Sequence, residues 1–311
     1  MKFEHISVLL NECIEGLNIK SNGIYVDGTL GGAGHASEVC KYLSEKGQFI
    51  GIDQDKNALS VSKERLSQVS PKVSIVNSNF ESISSVLDCL DIEKIDGMLI
   101  DLGVSSHQLD EPIRGFSYMH DAPLDMRMNQ EDTYTAYEVV NHLAEKELFD
   151  IIKNYGEERW AKRIAEFIVK RREISPIHTT YELVEVIKGA IPLAARKDGP
   201  HPAKRTFQAI RIAVNRELEI IEPTIFQVVE RLHSGGRLCI ITFHSLEDRI
   251  VKHAFKKLED PCTCSKNFPI CICGQTPKVK IISKKPILPS DEEVERNPRS
   301  RSAKLRIIEK L

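Results

Sequence analysis

Asp27-Gly-Thr-Leu-Gly-Gly-Ala-Gly-His35 is the stretch of this 311-residue chain that decides its fold. It follows the apolar run Ile24-Tyr-Val26 and precedes a helix-like segment, which predicts a strand, a glycine-rich turn and a helix. Glycines allow positive φ and a close approach to a ligand, and the helix N-terminus offers free N–H groups. A second strand-like run leads to Asp53, at the spacing of a carboxylate that binds ribose hydroxyls. The stretch predicts a nucleoside cofactor but does not say which one.

The first hundred residues alternate strand and helix signals. In chain order, the predicted strands are 24–27, 48–52, 73–77 and 95–100, with helices at 36–46 and 57–69. This alternation predicts an α/β fold, in which helices flank a parallel sheet. Because ligands bind beyond the carboxyl ends of such strands, we expect Asp27, Asp53 and Asp101 to lie at one edge of the sheet.

The alternation stops after the fourth strand. Between about Gln108 and Pro202, apolar residues recur every three or four positions, which predicts packed helices at 136–153, 160–172 and 181–191. Strand character returns at 236–243, 278–282 and 303–308. The sequence therefore predicts one α/β domain formed by residues 1–108 and 203–311, split by a mostly helical insertion of residues 109–202.

Composition places the chain among ordinary globular proteins, with 41% hydrophobic and 28% charged residues. No apolar run approaches the roughly 18 residues that a membrane-spanning helix needs, and no signal peptide is evident. We therefore expect a cytoplasmic location and no membrane partner. Eight cysteines in such a chain are expected to be thiols or metal ligands rather than a disulfide framework.

The charge of the chain is balanced overall but uneven locally. The net charge of −2 excludes a globally basic field. From Lys278 to Leu311, however, ten Lys or Arg face five Asp or Glu, and basic clusters occur at 170–172 and 204–205. These clusters indicate either solvated faces or an RNA contact, and the sequence leaves both open.

The order of glycines in the turn bears on the choice of cofactor. A dinucleotide enzyme would show G-x-G-x-x-G, whereas this turn has glycines at 28, 31, 32 and 34 and begins with Asp27. That carboxylate would repel a pyrophosphate and favours a cofactor with a cationic group, such as S-adenosylmethionine. An NAD-dependent oxidoreductase is thereby disfavoured. A non-catalytic protein that keeps the same fold stays open.

Two further regions have residue types that are typical of a binding or catalytic site. Residues 114–118 and 123–128 mix aromatic, sulfur and basic groups without a regular period, which favours a lid over a base or cofactor rather than a surface Ω-loop. His244-Ser245 follow a predicted strand, but no paired glycines surround the serine, so hydrolysis is not expected. His244 either faces the pocket or is structural.

Two C-x-C pairs lie near the C-terminus, Cys262 with Cys264 and Cys271 with Cys273. Four thiolates complete a tetrahedral zinc site, but the usual ligand spacing is C-x₂₋₄-C. The tighter spacing favours a loop of thiols, and we assign no metal ligand, leaving structural zinc as the alternative.

Seven motifs carry a resemblance to a known family. They occur in the order Asp27–His35, Asp101-Leu-Gly-Val-Ser-Ser106, Arg114-Gly-Phe-Ser117, Pro123-Leu-Asp-Met-Arg127, Tyr155-Gly-Glu-Glu-Arg159, Arg205-Thr-Phe-Gln-Ala209 and Phe243-His-Ser-Leu-Glu-Asp-Arg249. With this ordered set, the chain resembles the bacterial small-subunit ribosomal RNA cytosine-N4 methyltransferase family of the MraW type, from about His5 to Ala303.

The resemblance implies a Rossmann-like, S-adenosylmethionine-dependent methyltransferase sheet with an inserted helical domain. It also implies S-adenosylmethionine as methyl donor and a decoding-centre cytosine, position 1402 of 16S rRNA, as acceptor. The expected partner is 16S rRNA or the small ribosomal subunit, and a homodimer is left open. The cofactor contacts that it implies are Ala33, Gly34, His35, Asp53, Phe80, Asp101 and Gln108.

These contacts have expected roles. Asp53 binds the ribose hydroxyls, Phe80 covers the adenine face, and Asp101 and Gln108 line the methionine end and the entrance for the base. No catalytic residue is assigned, although the Asp101 carboxylate or the backbone carbonyls near Gly103 and Val104 are candidate acceptors for the amine hydrogens. The candidate RNA platform is basic: Arg159, Lys162, Arg163 and the 170–172 cluster. The acidic segment 291–295, inside a basic region, departs from the expected pattern and leaves the RNA-facing surface open.

Overall fold

A computed structural model of the chain describes residues 7–196, 199–264 and 272–311. The chain divides into two compact units, Met1–Gly103 with Leu218–Leu311, and Val104–Glu217. The first unit contains the sheet and the second is mostly helical. The helical unit thus spans residues 104–217, whereas the sequence predicts an insertion of residues 109–202.

A seven-stranded sheet forms the centre of the first unit. Its strands are β1 (Ile24–Asp27), β2 (Gln48–Asp53), β3 (Lys72–Asn77), β4 (Ile95–Asp101), β5 (Leu232–Thr242), β6 (Val279–Ile281) and β7 (Lys304–Lys310). They lie in the order β3-β2-β1-β4-β5-β7-β6. Strands β1 to β5 pair in parallel, and β7 is antiparallel to both of its neighbours. The predicted α/β fold class is confirmed.

Fourteen α-helices are found among the described residues. They are α1 (Leu10–Leu17), α2 (Gly34–Tyr42), α3 (Lys56–Arg65), α4 (Ile83–Cys89), α5 (Ser106–Asp110), α6 (Ala136–His142), α7 (Glu145–Gly156), α8 (Ala161–Ile174), α9 (Thr180–Ala190), α10 (Leu193–Arg196), α11 (Lys204–Asn215), α12 (Ile221–Arg231), α13 (Ser245–Glu259) and α14 (Asp291–Arg296). Within the described ranges, no helix combines the length and the apolar character that a membrane span requires.

Helices cover both faces of the sheet. Successive strand residues point to opposite faces, so Val26 and Ile50 pack with α4, α12 and α13, whereas Tyr25 and Phe49 pack with α1 and α2. Burial on both faces explains why these strands read as continuous apolar runs in the sequence.

The strand order reverses between β1 and β4, because the chain first adds β2 and β3 on one side of β1 and then crosses to the other. Open α/β sheets bind ligands at the carboxyl ends of the strands next to such a reversal. Asp27, Asp53 and Asp101 are the last residues of β1, β2 and β4, which are neighbours in the sheet. The fold therefore brings the three predicted carboxylates to one edge.

The helical unit has its own apolar core. Phe207, Ile210 and Val214 of α11 belong to this core, which is why the unit extends to Glu217. The predicted helix 136–153 is in fact two helices, α6 and α7. The Ala144 N–H donates to Glu147 Oε2 at 2.8 Å and so begins a new helix where the apolar spacing alone continues.

Candidate functional site

The glycine-rich turn between β1 and α2 is held in a specific conformation. Gly31 and Ala33 both have left-handed backbones, with φ of 50° and 59°. Ser62 Oγ donates to the Gly31 carbonyl at 2.6 Å, and Arg65 Nη1 donates to the Gly32 carbonyl at 2.5 Å. A left-handed alanine costs about 1–2 kcal/mol and persists only where its surroundings fix it. The hydrogen bonds from α3 fix the turn in this way.

Two glycines of the turn are required by close packing. A Cβ on Gly28 would lie 2.6 Å from Met98 Cε and 3.1 Å from Phe80 Cβ. A Cβ on Gly34 would lie 2.0 Å from Ser7 Oγ. The first contact also places Phe80, one of the predicted cofactor residues, beside the start of the turn.

Helix α2 begins at Gly34 without a side-chain cap, because its N-cap residue is Ala33. The first N–H groups of a helix have no partner within the helix, and they attract anionic groups. His35 is 6% exposed, and its Nε2 lies 2.9 Å from the Val8 carbonyl oxygen. The imidazole is therefore engaged structurally, and the backbone is what the predicted residues Ala33, Gly34 and His35 offer to a ligand.

Thr29 connects two of the three strand-end carboxylates. Its N–H donates to Asp27 Oδ1 at 3.0 Å, and its Oγ1 accepts from the Asp101 N–H at 2.6 Å. Asp27 is 3% exposed. Asp101 Oδ1 is also buried and has no hydrogen-bond partner among the residues that the structure describes. A buried carboxylate oxygen without a partner is destabilising, and a hydrogen-bond donor or a cation would remove that cost.

Burial raises the pKa values of these carboxyl groups. It raises the pKa of Asp27 to about 7; the charge of Asp53 adds to this and the Thr29 amide opposes it. Burial raises the pKa of Asp101 well above its ordinary value, and the charges of Asp27 and Glu247 raise it further. The edge of the sheet thus holds more acidic groups than can ionise together at low cost. A cationic ligand would offset that cost.

Asp53 is oriented by backbone amides, among them those of Gly31 and Asp55. Gly31 N–H donates to its Oδ2 and Asp55 N–H donates to its Oδ1, each at 2.8 Å. Burial raises the pKa of Asp53, although these amides oppose the change. Because a carboxylate oxygen accepts more than one hydrogen bond, the oriented pair can still accept from the two hydroxyls of a ribose.

Gln108 belongs to the second unit. It is 5% exposed, and its Oε1 accepts from the Ser105 N–H at 3.1 Å while Ser105 Oγ accepts from the Gln108 N–H at 3.2 Å. These contacts form a capping box for α5. The structure assigns Gln108 a capping contact, and its cofactor role stays a prediction.

The predicted lid at 114–118 and 123–128 is contradicted by burial. Arg114 is 2% exposed, and its Nη2 donates to the carbonyls of Arg127 and Met128 at 2.8 and 3.1 Å. Phe116 and Met126 belong to the core of the helical unit. These side chains hold that unit together, so the lack of a regular period reflects core packing in a loop rather than a movable lid.

His244 and its neighbours build the turn from β5 into α13. Glu247 Oε2 accepts from the N–H groups of Phe243 and His244 at 2.8 and 3.1 Å, and His244 Nε2 lies 3.1 Å from Glu247 Oε1. Asp248 Oδ1 accepts from Arg306 Nε at 2.6 Å, which ties α13 to β7. The Nδ1 and Nε2 atoms of His244 are buried and make no hydrogen bond to the residues that the structure describes, so both alternatives for His244 stay open.

The predicted RNA platform separates into two groups. Arg159, Lys162 and Arg163 are exposed at the N-terminal end of α8, where positive charge opposes the helix dipole. Lys170, in contrast, pairs with Glu166 at 2.5 Å, and Arg172 donates to the Val140 carbonyl at 2.7 Å. Arg159 and Arg163 also lie 5.4 and 5.3 Å from the ring centroids of Trp160 and Phe167, but these exposed cations have no ion pair as short as that of Lys170 among the described residues, so the first group is the better candidate for a ligand contact.

Sequence reasoning missed several residues that shape the site. Thr29 lies inside the opening stretch, and its place between Asp27 and Gly31 was the available signal. Ser62 and Glu247 act over long sequence separations, which no local pattern could indicate.

Comparison with known proteins gives full-length matches. The model of the MraW methylase family matches residues 2–311. Proteins named ribosomal RNA small subunit methyltransferase H are 63% identical over 311 residues in Clostridioides difficile, 61% over 311 residues in Clostridium botulinum, and 57% over 313 residues in Ruminiclostridium cellulolyticum. Each match covers 100% of this chain and 100% of its relative.

Proposed function

The chain belongs to the MraW methylase family, and from this premise we propose that it transfers a methyl group from S-adenosylmethionine to the N4 amine of cytosine 1402 in 16S rRNA. At a coarser level, it is a methyltransferase of the small-subunit rRNA, as its relatives are named. The observation that carries the proposal is the set of three carboxylates at the ends of β1, β2 and β4, of which Asp27 is buried and Asp53 and Asp101 are half-buried.

The charge of the site fits this methyl donor. S-adenosylmethionine carries a sulfonium and an ammonium group, and both are stabilised by the ionised forms of Asp27 and Asp101. Asp101 Oδ1, buried without a partner among the described residues, gains one from a cationic group. A dinucleotide would instead bring pyrophosphate charge to the same carboxylates, which disfavours a nicotinamide cofactor.

The other proposed residues each contact a different part of S-adenosylmethionine. Asp53 accepts from the ribose hydroxyls, and Phe80, beside Gly28, covers the adenine ring. The N–H groups at the start of α2, at Gly34 and His35, receive the methionine carboxylate. The left-handed backbone of Ala33 sets the direction of these N–H groups. The assignment of Gln108 as a cofactor contact rests on the family resemblance alone.

The acceptor nitrogen is a poor nucleophile, because its lone pair is conjugated into the cytosine ring. Taking the base out of its stack costs a few kcal/mol, and holding the nitrogen in position lowers the barrier by several kcal/mol. When bound, S-adenosylmethionine supplies the electrophilic methyl group. We assign the Asp101 carboxylate as the acceptor that binds the amine hydrogens and raises the electron density on nitrogen. In its ionised form, the Asp101 carboxylate can also take up the proton that the amine loses.

The RNA is bound in part by the exposed cations at the start of α8. Arg159, Lys162 and Arg163 offer three positive charges to phosphates. The partner is 16S rRNA or the small subunit, and we place the reaction in the cytoplasm on account of that substrate. A homodimer stays a prediction.

Methyl transfer to defined RNA tests the proposal. The purified protein is incubated with methyl-labelled S-adenosylmethionine and either naked 16S rRNA or small subunits from cells that lack this enzyme, and RNA fragments are mapped by mass. We expect one added methyl group on the N4 nitrogen of a single cytosine. A methyl group at another ring position, or none on either substrate, would contradict the proposal.

Two controls separate the rival functions. Fluorescence titration with NADH against S-adenosylmethionine distinguishes an oxidoreductase, which would bind the former. A non-catalytic assembly factor would bind S-adenosylmethionine or the subunit without turnover.

The variant Asp101→Ala tests the assignment of Asp101. We expect a large loss of kcat beyond any loss of cofactor affinity. Near-normal turnover at saturating cofactor would refute its action on the amine.

A further inference from the structure

The loop between α13 and β6 contains a cluster of sulfur atoms that the methyltransferase function does not use. Cys262 Sγ and Cys273 Sγ lie 3.8 Å apart, and the Sγ atoms of Cys262, Cys264 and Cys273 all lie within 4.8 Å of one another. The fourth cysteine of the sequence motif, Cys271, lies outside the described residues. From this cluster we propose that the three described thiolates bind a structural zinc ion.

The distances fit a shared metal better than a disulfide. A disulfide places its sulfur atoms about 2.05 Å apart, far below the separation of Cys262 and Cys273. Two thiolates bound tetrahedrally at a Zn–S distance of about 2.3 Å lie about 3.8 Å apart, which matches this pair. The Ile272 N–H also donates to Cys264 Sγ at 3.4 Å, a contact that supports the charge on a thiolate.

The arrangement bears on the spacing of the motif. Two cysteines separated by one residue, as Cys262 and Cys264 are, form a tighter pair than the usual C-x₂₋₄-C ligands of zinc. In the structure, the 3.8 Å pair joins Cys262 of the first C-x-C motif to Cys273 of the second. The third thiolate therefore comes from the other arm of the loop, and an ion would connect the two arms.

The described part of the loop has no buried side chains to order it. None of the described residues from 260 to 264 and from 272 to 278 is buried, and Ile272 is 76% exposed. At the base of the loop, Lys278 N–H donates to the Leu258 carbonyl at 2.9 Å and Ile281 N–H donates to Glu259 Oε1 at 3.1 Å. A metal that joins the two arms would add a strong contact between exposed segments.

The sulfur cluster stands apart from the cofactor edge. Helix α13 starts after the carboxyl end of β5 and runs 15 residues, about 22 Å, before the loop begins. The loop then leads into the start of β6. The ion would therefore be structural, and its loss is expected to leave S-adenosylmethionine affinity within about twofold. Soft thiolate ligands select zinc over magnesium or calcium.

Metal content of the full-length protein tests the proposal. The protein is produced without a polyhistidine tag, purified without chelator and analysed by mass spectrometry for zinc. We expect about one zinc per chain, and near zero in the double variant Cys262→Ser with Cys273→Ser. The matched control is Cys89→Ser, which removes an exposed cysteine outside the cluster and should keep the zinc of the parent.

A second measurement applies if the double variant does not fold. The parent is stripped with a chelator, then refilled with Co²⁺, and read by the thiolate-to-cobalt charge-transfer absorption. Limited proteolysis should cut the loop faster in the stripped protein and at the parent rate after zinc is restored. Less than one zinc per two chains, an unchanged zinc content in the double variant, or a loop disulfide found by mass in the chelator-free protein would each overturn the proposal.

Discussion

Replacing Asp27 by Asn should stabilise the free protein in a pH-dependent way. The Asp27 carboxyl group is 3% exposed, and burial raises its pKa from 3.8 to about 7. The folded state therefore holds the proton of Asp27 more tightly than the unfolded state does. Stability accordingly falls as the pH rises from about 4 to about 7, and the full cost is present above pH 7. Asparagine cannot ionise and escapes this cost.

The magnitude follows from the two pKa values. At 1.36 kcal/mol per pKa unit, ionising Asp27 in the folded protein costs about 2 kcal/mol at pH 5 and about 4 kcal/mol at pH 8. The new amide needs its own partners, and one left unpaired costs about 1–3 kcal/mol. That penalty does not depend on pH. The difference in free energy of unfolding between the variant and the parent should therefore widen by roughly 2–3 kcal/mol from pH 5 to pH 8.

Urea unfolding of both proteins at pH 5, 6, 7 and 8 measures this difference. Asp96→Asn is the matched control. Burial opposes ionisation of Asp96 as well, but hydrogen bonds from the Ile24 N–H and Lys20 lower its pKa below 3.8. Asp96 is thus ionised in both states throughout this range, and its difference should stay constant. A difference for Asp27→Asn that is equally flat would refute the reasoning.

Three other predictions concern the cofactor, the helical unit and the RNA. Calorimetric affinity for S-adenosylmethionine should weaken about tenfold from pH 8 to pH 6, because a proton on Asp27, with its pKa of about 7, competes with the cation; an affinity independent of pH would contradict this. Gly115→Ala should destabilise the protein by about 3 kcal/mol or more in chemical unfolding, since φ is 69° and the new Cβ would lie 2.3 Å from the Pro123 carbonyl oxygen. Gly31→Ala is the control, with a φ of 50° and no atom nearer than 3.8 Å, and should cost only about 1 kcal/mol; equal losses would show that the clash is absent. Changing both Arg159 and Lys162 to Glu should raise KM for small subunits at least tenfold without changing cofactor affinity. Lys188→Glu, which removes a lysine paired with Glu185 at 2.8 Å, should change neither; an unchanged KM in the double variant would exclude the start of α8 as an RNA contact.

The sheet was predictable because each strand carries its own local signal. Strands buried on both faces appear as apolar runs, and their order along the chain limits the topology to a few choices. The end of the insertion was not predictable in the same way. Helix α11 has an apolar face, but nothing in its sequence says whether that face packs on the sheet or on α7. Only the tertiary contacts decide it.

The common location of the three acidic residues could be predicted from the sequence. The structural contacts of the neighbouring predicted residues could not. Asp27, Asp53 and Asp101 follow strand runs, so their common edge follows from the topology. The side chain of His35, in contrast, contacts the Val8 carbonyl, and Gln108 caps α5. Motif membership identified these two positions without distinguishing a ligand contact from a structural one.

In the proposed site, the carboxylates at the strand ends account for a preference for a cationic cofactor. Ordinary core positions avoid acidic groups, because burying an unpaired charge costs several kcal/mol. This protein places two such groups, Asp27 and Asp101, on adjacent strands and leaves Asp101 Oδ1 without a partner among the described residues. A ligand that brings positive charge stabilises the ionised carboxylates, whereas a neutral analogue of similar shape does not. Replacing the sulfonium by a neutral thioether should therefore cost more affinity in the parent than in Asp27→Asn, and an equal loss in both would mean that the carboxylates do not select the charge.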